Sequence, residues 1–454
     1  MRTRTSCVAL ALAVALVSTT ALAQTPRVLT LDEALRLAET HSESLVIAGA
    51  GTARAQADLK RTNSQRYPQI NFVGGYDRTL ASEFSGIFDS GGAPGDADFS
   101  DLPFGQANAY RFSLSASHLL YSAGRVQKQR GQADLGIRGA ELTVAATRAL
   151  VQFEVTQAFY DVALTARLAT IAQSGYDQAD AAYQQTRLSY DAGGLPEFEV
   201  LRAQVQRDNQ RPVVIRARAH HERALLRLRQ LLELPADTPL TLVVDLDAED
   251  LAAPAPFADA LAAAEQHVDL ASRTSLAQAE LAVRLRQLGI EIVRSAKRPT
   301  VSFVSAYSAT NYPRNVYPDL GRIRNNWTLG AQVTMPVFAG FRIPAEEAAA
   351  KADLTEAEAR LKQARELAAL QRATALQDME SARAAWEATA GTITQAARAY
   401  DIAELRFREG ISTQLELSDS RLALQSAQAN RAQAARDLQL ARVRVALLPD
   451  LPIQ

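Results

Sequence analysis

The residues equipped for chemistry are few. The chain holds five histidines and one cysteine. His220 and His221 are adjacent, and neighbours on a helix point about 100° apart, so the pair does not converge on a metal. His41 and His267 occupy equivalent places in two related segments and read as structural, while His118 falls near the end of an alternating segment. No HExxH, phosphate-cradling glycine loop or nucleophile elbow occurs. The chemistry therefore points away from an enzyme and requires no cofactor or metal.

The elements that would carry these residues begin with an export signal. Arg2 and Arg4 precede an apolar run from Val8 to Val17, and Ala21-Leu22-Ala23 supplies a small-x-small cleavage pattern, which predicts a signal peptide over 1–23. Cys7 lies inside that signal, so the exported chain has no thiol for disulfides, catalysis or metal ligation. Without Arg2 and Arg4, 47 basic residues stand against 50 acidic ones with the signs interspersed, which is no nucleic-acid surface. Beyond the signal no apolar stretch reaches the roughly 18 to 20 residues of a spanning helix. A membrane segment would have to be built from β-strands.

The remaining chain repeats itself. Asp259-Ala260-Leu261 and Glu265-x-His267 answer Glu33-Ala34-Leu35 and Glu39-x-His41, which divides the chain into a first copy over 24–255 and a second over 256–454. Each copy opens with a short amphipathic helix and an Ala-rich helix. It then passes a proline, Pro68 or Pro299, which disfavours helix at the residue before it and marks the start of a strand. The strand pairs are placed over 68–121 and 299–338, the second members running Phe112 to Tyr121 and Trp327 to Phe338. Phe112, Leu114 and Ala116 alternate with serines, and Trp327, Leu329, Ala331 and Val333 alternate with Thr, Gly and Gln.

Helical hairpins come next, over 123–234 and 342–448, almost free of Pro and Gly and turning at Gly193 and Gly410. Arg342 lies 217 residues after Arg125, and Gly410 lies 217 after Gly193. At about 1.5 Å per residue, a helix of some 65 residues is roughly 100 Å long. Leu376, Met379, Trp386, Ala390, Ile393, Ala397, Tyr400 and Phe407 recur at three- and four-residue steps and predict a coiled-coil seam.

Alternating strands also occur in soluble sandwiches. Here their length of about ten residues, the aromatics near their ends, the signal and the long polar loops at 81–105 and 311–325 favour a membrane barrel. Four strands cannot close one, because single-chain barrels need about eight. At least two subunits must share it.

On these features the chain resembles the outer-membrane efflux protein family, the TolC-like outer-membrane factors, over essentially all of the exported sequence. The carrying motifs are Asp32-Glu33-Ala34-Leu35, the openings at Pro68 and Pro299, Pro336-Val337-Phe338-Ala339-Gly340, and the turns at Gly193 and Gly410. The first copy lacks the proline in Leu119-Leu120-Tyr121-Ser122-Ala123-Gly124, which is expected to change its local geometry.

The resemblance implies an α+β membrane protein, a homotrimer whose subunits each give four strands to a shared 12-stranded barrel in outer-membrane lipid, with a helical tunnel in the periplasm. It implies an exit duct of a tripartite efflux pump or type I secretion system. Its partners would be a periplasmic adaptor, or membrane fusion protein, and an inner-membrane transporter of RND, ABC or MFS type. It also places Glu199, Phe407, Ser412, Glu416 and Asp419 at a periplasmic gate, and Gly193, Gly194, Leu195, Gly410 and Ile411 at adaptor-docking tips. Where the best-known member carries a basic clasp this chain has Ser412, with Arg406 and Arg408 nearby as cationic substitutes. The rival architecture is a periplasmic coiled-coil adaptor or a structural protein without a channel. An adaptor would carry one hairpin inside a β domain rather than two hairpins, each behind its own strand pair.

Overall fold

The computed structural model describes residues 27–81, 107–248, 250–266, 273–313 and 315–453. The expected signal with Cys7, His267 and most of the 81–105 loop lie outside them. In order the chain forms β1 (Arg27–Leu29), α1 (Leu31–His41), α2 (Glu43–Ser64), β2 (Gln69–Arg78), β3 (Asn108–Tyr121), α3 (Arg125–Asp191) and α4 (Glu197–Leu231). The second half forms β4 (Leu240–Leu242), α5 (Ala258–Gln266), α6 (Thr274–Ser295), β5 (Thr300–Asn311), β6 (Ile323–Thr334), α7 (Arg342–Arg408) and α8 (Gln414–Ala446). Helices α3 and α7 are both 67 residues long. Two compact units result, one of Met1–Ser42, Gln152–Ala258 and Met379–Val443, the other of Glu43–Val151, Asp259–Asp378 and Arg444–Gln454.

The second unit holds an antiparallel sheet in the order β2-β3-β5-β6. Directly paired residues of an antiparallel sheet share a face, so the register sorts the side chains. Phe72, Leu114, Tyr307 and Trp327 form one row across the sheet, and Ile70, Ala116, Ser305 and Leu329 form another on the same face. The opposite face carries Asn71, Ser115 and Thr328, with Arg111 salt-bridged to Asp77 at 2.6 Å. Phe72, Trp327, Leu329 and Val333 are all exposed despite their chemistry. Phe112 lies over Gly74, where an added Cβ would meet the ring at 3.3 Å, and it stacks on Phe72 with ring centroids 6.4 Å apart.

Ten residue steps along β5 separate Val301 from Asn311. At about 3.3 Å per residue and a tilt near 40°, that strand length gives an apolar band roughly 25 Å tall.

Strand β6 stops at Thr334 rather than at Phe338, because Pro336 lacks the N–H that would continue the ladder. In the first copy β3 runs on to Tyr121, and it begins at Asn108, four residues before the expected start at Phe112. The missing proline therefore alters the strand end and leaves the turn alone. Ala123 and Gly124 adopt φ of 53° and 81°, and Gly340 and Phe341, their counterparts 217 residues on, adopt 57° and 62°. Two consecutive left-handed residues redirect the chain into the long helix in both copies.

In the first unit, α7 buries or half-buries Met379, Ala382, Trp386, Thr389, Ile393, Ala396, Tyr400, Ala403 and Phe407. Their spacing alternates strictly between three and four residues, the 3.5-residue period of a left-handed coiled coil. Ala390, expected in this seam, is exposed because the alternation falls on Thr389 instead. Helix α3 answers with Thr165, Ala172, Ala179 and Thr186, seven apart and each 217 before Ala382, Thr389, Ala396 and Ala403. The unit's core, with Phe159, Val162, Leu228, Leu438 and Val443, is fully buried. A short parallel ribbon of β1 and β4 also belongs to this unit.

In the second unit, one carboxylate ties α6 to α7. Glu347 accepts from Arg294 at 3.0 Å and Lys297 at 2.8 Å, and Lys351 sits at 3.2 Å. Lys297 and Arg294, then Lys351, pull its pKa down to about 2. A depressed carboxylate stabilises the fold above its unfolded pKa of about 4.3 and loses that contribution as pH falls through the folded value. Thermal melts of wild type and Glu347→Gln are expected to differ at pH 7 and to converge between about pH 4.3 and pH 2. Equal melts at pH 7 would remove this cluster from the stability of the α6–α7 contact.

Candidate functional site at the helical turns

The two hairpins end in the same backbone motif. Gly193 and Gly410 have φ of 77° and 72°, in the left-handed region that glycine accepts without strain. Gly194 N–H donates to Ser189 O at 2.9 Å and Gly193 N–H to Tyr190 O at 2.8 Å. Ile411 N–H donates to Arg406 O at 2.8 Å and Gly410 N–H to Phe407 O at 3.1 Å. This 6→1 and 5→2 pairing is the Schellman arrangement, and it satisfies the last carbonyls of α3 and α7. Gly193, Gly194, Gly410 and Ile411 are exposed at these turns, and Leu195 is half-buried.

The two hairpins differ in how the returning helix begins. After Gly193, Pro196 leads into α4 without a side-chain cap, and Glu199 lies in the first turn with no ion pair among the described residues. After Gly410, Thr413 Oγ1 accepts from Glu416 N–H at 3.4 Å and starts α8. Ser412 Oγ reaches Ala403 O only at 3.5 Å, and its N–H donates to Arg406 O at 3.2 Å. Both contacts of Ser412 lie within its own turn.

Arg406 makes the ion pair across the turn. Its Nη1 lies 2.9 Å from Glu416 Oε1, joining the end of α7 to the start of α8, while Arg408 pairs with Glu404 on its own helix. Glu416 and Asp419 share a helix face but differ in state: Glu416 is paired, whereas Asp419 is exposed with no ion pair among the described residues. The ten-residue separation of Arg406 and Glu416 hid this pair, since helix rules look three and four residues away. Opposite charges on either side of the Gly410 turn were its one signal in the sequence.

Phe407 packs inward on the cluster of Tyr400, Ala403, Leu417 and Leu424. A buried cation lies two residues beyond Asp419: Arg421 is 5% exposed and has no acidic partner among the described residues. Burial lowers the Arg421 guanidinium and raises the Tyr400 phenol within the same hairpin. Elsewhere in this unit His221 Nδ1 lies 3.3 Å from Thr165 Oγ1 and His220 contacts Arg223, so the two rings have separate partners.

A sheet with an exposed apolar face and two open edges, joined to paired hairpins with charged turns, defines the subunit of a membrane-embedded duct. The chain matches the outer membrane efflux protein family over residues 34–233 and 267–448 and belongs to it. It is therefore an outer-membrane efflux channel, with its strands in the outer membrane and its helices in the periplasm.

Among solved structures it is similar to the outer-membrane channel OprN at 22% identity, covering 92% of this chain and 90% of that one, with TM-score 0.71. It is similar to the open state of the MtrE outer membrane channel of Neisseria gonorrhoeae at 19% identity, covering 93% and 90%, with TM-score 0.71. The outer membrane protein VceC of Vibrio cholerae matches at 16% identity, covering 93% and 97%, with TM-score 0.71. At such identities the likeness speaks for the fold. Comparison with curated protein sequences gave no match.

The Arg406–Glu416 pair is about half exposed on both sides, so its coupling falls in the range of surface pairs, about 0.2–1 kcal/mol. A double-mutant cycle of Arg406→Gln and Glu416→Gln, read as the change in channel opening, should give a coupling in that range. Additive effects would dissolve the pair.

Proposed function

We propose that three copies close a 12-stranded barrel and a periplasmic tunnel, forming the exit duct of a tripartite efflux pump or type I secretion system. One observation carries the reading: an apolar sheet face is exposed while both edge strands, β2 and β6, lack a partner on one side among the described residues. In hydrocarbon each unpaired backbone group costs several kcal/mol. Four strands running alternately also leave β2 and β6 antiparallel to one another in a ring of copies, so any number of subunits can close without a parallel pair. Three subunits give a water-filled lumen lined by the Ser, Thr and Asn face.

The tunnel's far end engages a periplasmic adaptor through Gly193, Gly194, Leu195, Gly410 and Ile411, and through it an inner-membrane transporter. The shared Schellman geometry supports this, since both turns present exposed backbone in one form. Glu199, Phe407, Ser412, Glu416 and Asp419 form the gate, with divided roles. Phe407 anchors the hairpin seam, Ser412 closes the turn, Glu416 is held by Arg406, and Asp419 is the carboxylate left to face permeating cations.

Single-channel recordings in planar bilayers test this division. Asp419→Asn is expected to weaken block by divalent cations more than Glu416→Gln does, and the double variant to weaken it most. Unchanged block in the double variant removes both residues from the conducting path.

A further inference from the structure

Every junction between the sheet and the helices carries an arginine: Arg66 before β2, Arg125 after β3, Arg298 before β5 and Arg342 after β6. All four are exposed. Arg342 pairs with Glu346 at 2.7 Å, whereas Arg66, Arg125 and Arg298 have no acidic partner among the described residues. Exposed aromatics stand beside them, with Tyr67 67%, Phe338 75% and Phe341 76% exposed. Aromatic rings at this level mark the edge of the hydrocarbon, and basic side chains just beyond it meet lipid phosphates. Because the helices lie in the periplasm, this rim meets the periplasmic leaflet.

The rim includes a formed cavity. A pocket of about 290 Å³ is lined by Gln65 and Arg66 before β2, by His118, Leu119, Leu120 and Tyr121 at the end of β3, and by Gly124 and Gln127 at the start of α3. His118 pairs with Phe303 in the register and so stands on the apolar, lipid-facing side of the sheet. Its Nδ1 is shielded from solvent and has no hydrogen-bond partner among the described residues. A ring nitrogen left unpaired in such a position carries a desolvation cost that a ligand can remove. Arg66 supplies an unpaired cation, His118 and Gln127 supply polar atoms, and Leu120, on the same face as His118, supplies apolar wall. That composition matches a phosphate joined to an acyl glycerol: charge at one end, hydrocarbon at the other.

We propose that this cavity binds the phosphate headgroup of an anionic glycerophospholipid from the periplasmic leaflet, with Arg66 as the charge partner and His118 as the hydrogen-bonding group. The other junction arginines form a weaker electrostatic collar around the rim. The lipid would fix the height of the rim at the membrane edge, where the two left-handed residues Ala123 and Gly124 redirect β3 into α3.

Native mass spectrometry of the full-length detergent-purified oligomer, delipidated and titrated with phosphatidylglycerol, tests this. The wild type is expected to hold phosphatidylglycerol in preference to phosphatidylcholine and to keep it against excess inorganic phosphate. Arg66→Gln with His118→Leu should weaken retention roughly fivefold or more, as expected for losing a cation near a lipid phosphate. Arg66→Lys should preserve it. Equal retention by wild type and the double variant, equal binding of phosphatidylcholine, or displacement by inorganic phosphate would each overturn the proposal. The oligomer's mass is read in the same spectra, so a failed lipid site is distinguishable from a failed assembly. Should the double variant not assemble, the lipid preference of the wild type still decides.

Discussion

The structure depends on one constraint: backbone N–H and C=O groups at a sheet edge cannot be left unpaired in lipid. In this chain the sheet ends on β2 and β6, each with one side open. Neither edge strand contains proline, their charges are confined to one end at Asp77 and Arg78 on β2 and Arg324 on β6, and both carry large apolar residues such as Phe72 and Trp327. A soluble protein would be expected to blunt such edges. Here they are the joining surfaces. The even strand count, the sorting of apolar and polar faces, and the band of roughly 25 Å all result from closing a barrel out of copies.

The duplication solves a second geometric problem. Strands from the two copies meet in the middle of the sheet, β3 against β5, so each subunit's own halves are joined by a continuous ladder. The long helices then repeat at a fixed offset of 217, preserved at the left-handed turn out of the strand, along the small-residue seam and at the Schellman motif. Equal helices are required if both hairpins are to present their turns alike. Where the copies diverge, after Gly193 and Gly410, the second acquires a threonine cap and a cross-turn ion pair that the first lacks. The repeated parts make the tube, and the unrepeated parts carry the charge.

Much of this was legible in the sequence because it rests on periodicity and on Pro and Gly. The two 67-residue helices, the turns at Gly193 and Gly410 and the alternating strands are local patterns with direct backbone consequences. Strand ends were less legible: Pro336 stops β6 two residues before itself, which the apolar Val337 and Phe338 concealed. In the seam, apolarity favoured Ala390, but geometry chose Thr389, whose hydroxyl donates to Trp386 O at 2.7 Å and accepts from Arg431 Nη1 at 3.3 Å. The site was legible as positions and not as contacts. Glu416 and Asp419 look alike in sequence, yet only folding brings Arg406 to Glu416. The cavity at His118 combines three chain segments and has no linear signature.

A closed barrel requires β2 of one copy to pair with β6 of the next. Because the only cysteine is Cys7, within the expected signal segment, single cysteines at Val73 on β2 and at Thr328, Gly330 or Gln332 on β6, all on the polar face, report the pairing directly. Oxidation of the double-cysteine proteins in outer membranes should yield, for one of the three β6 positions, covalent products that stop at three chains. A crosslink confined within single chains, or a ladder continuing past three, would contradict a barrel shared by three copies.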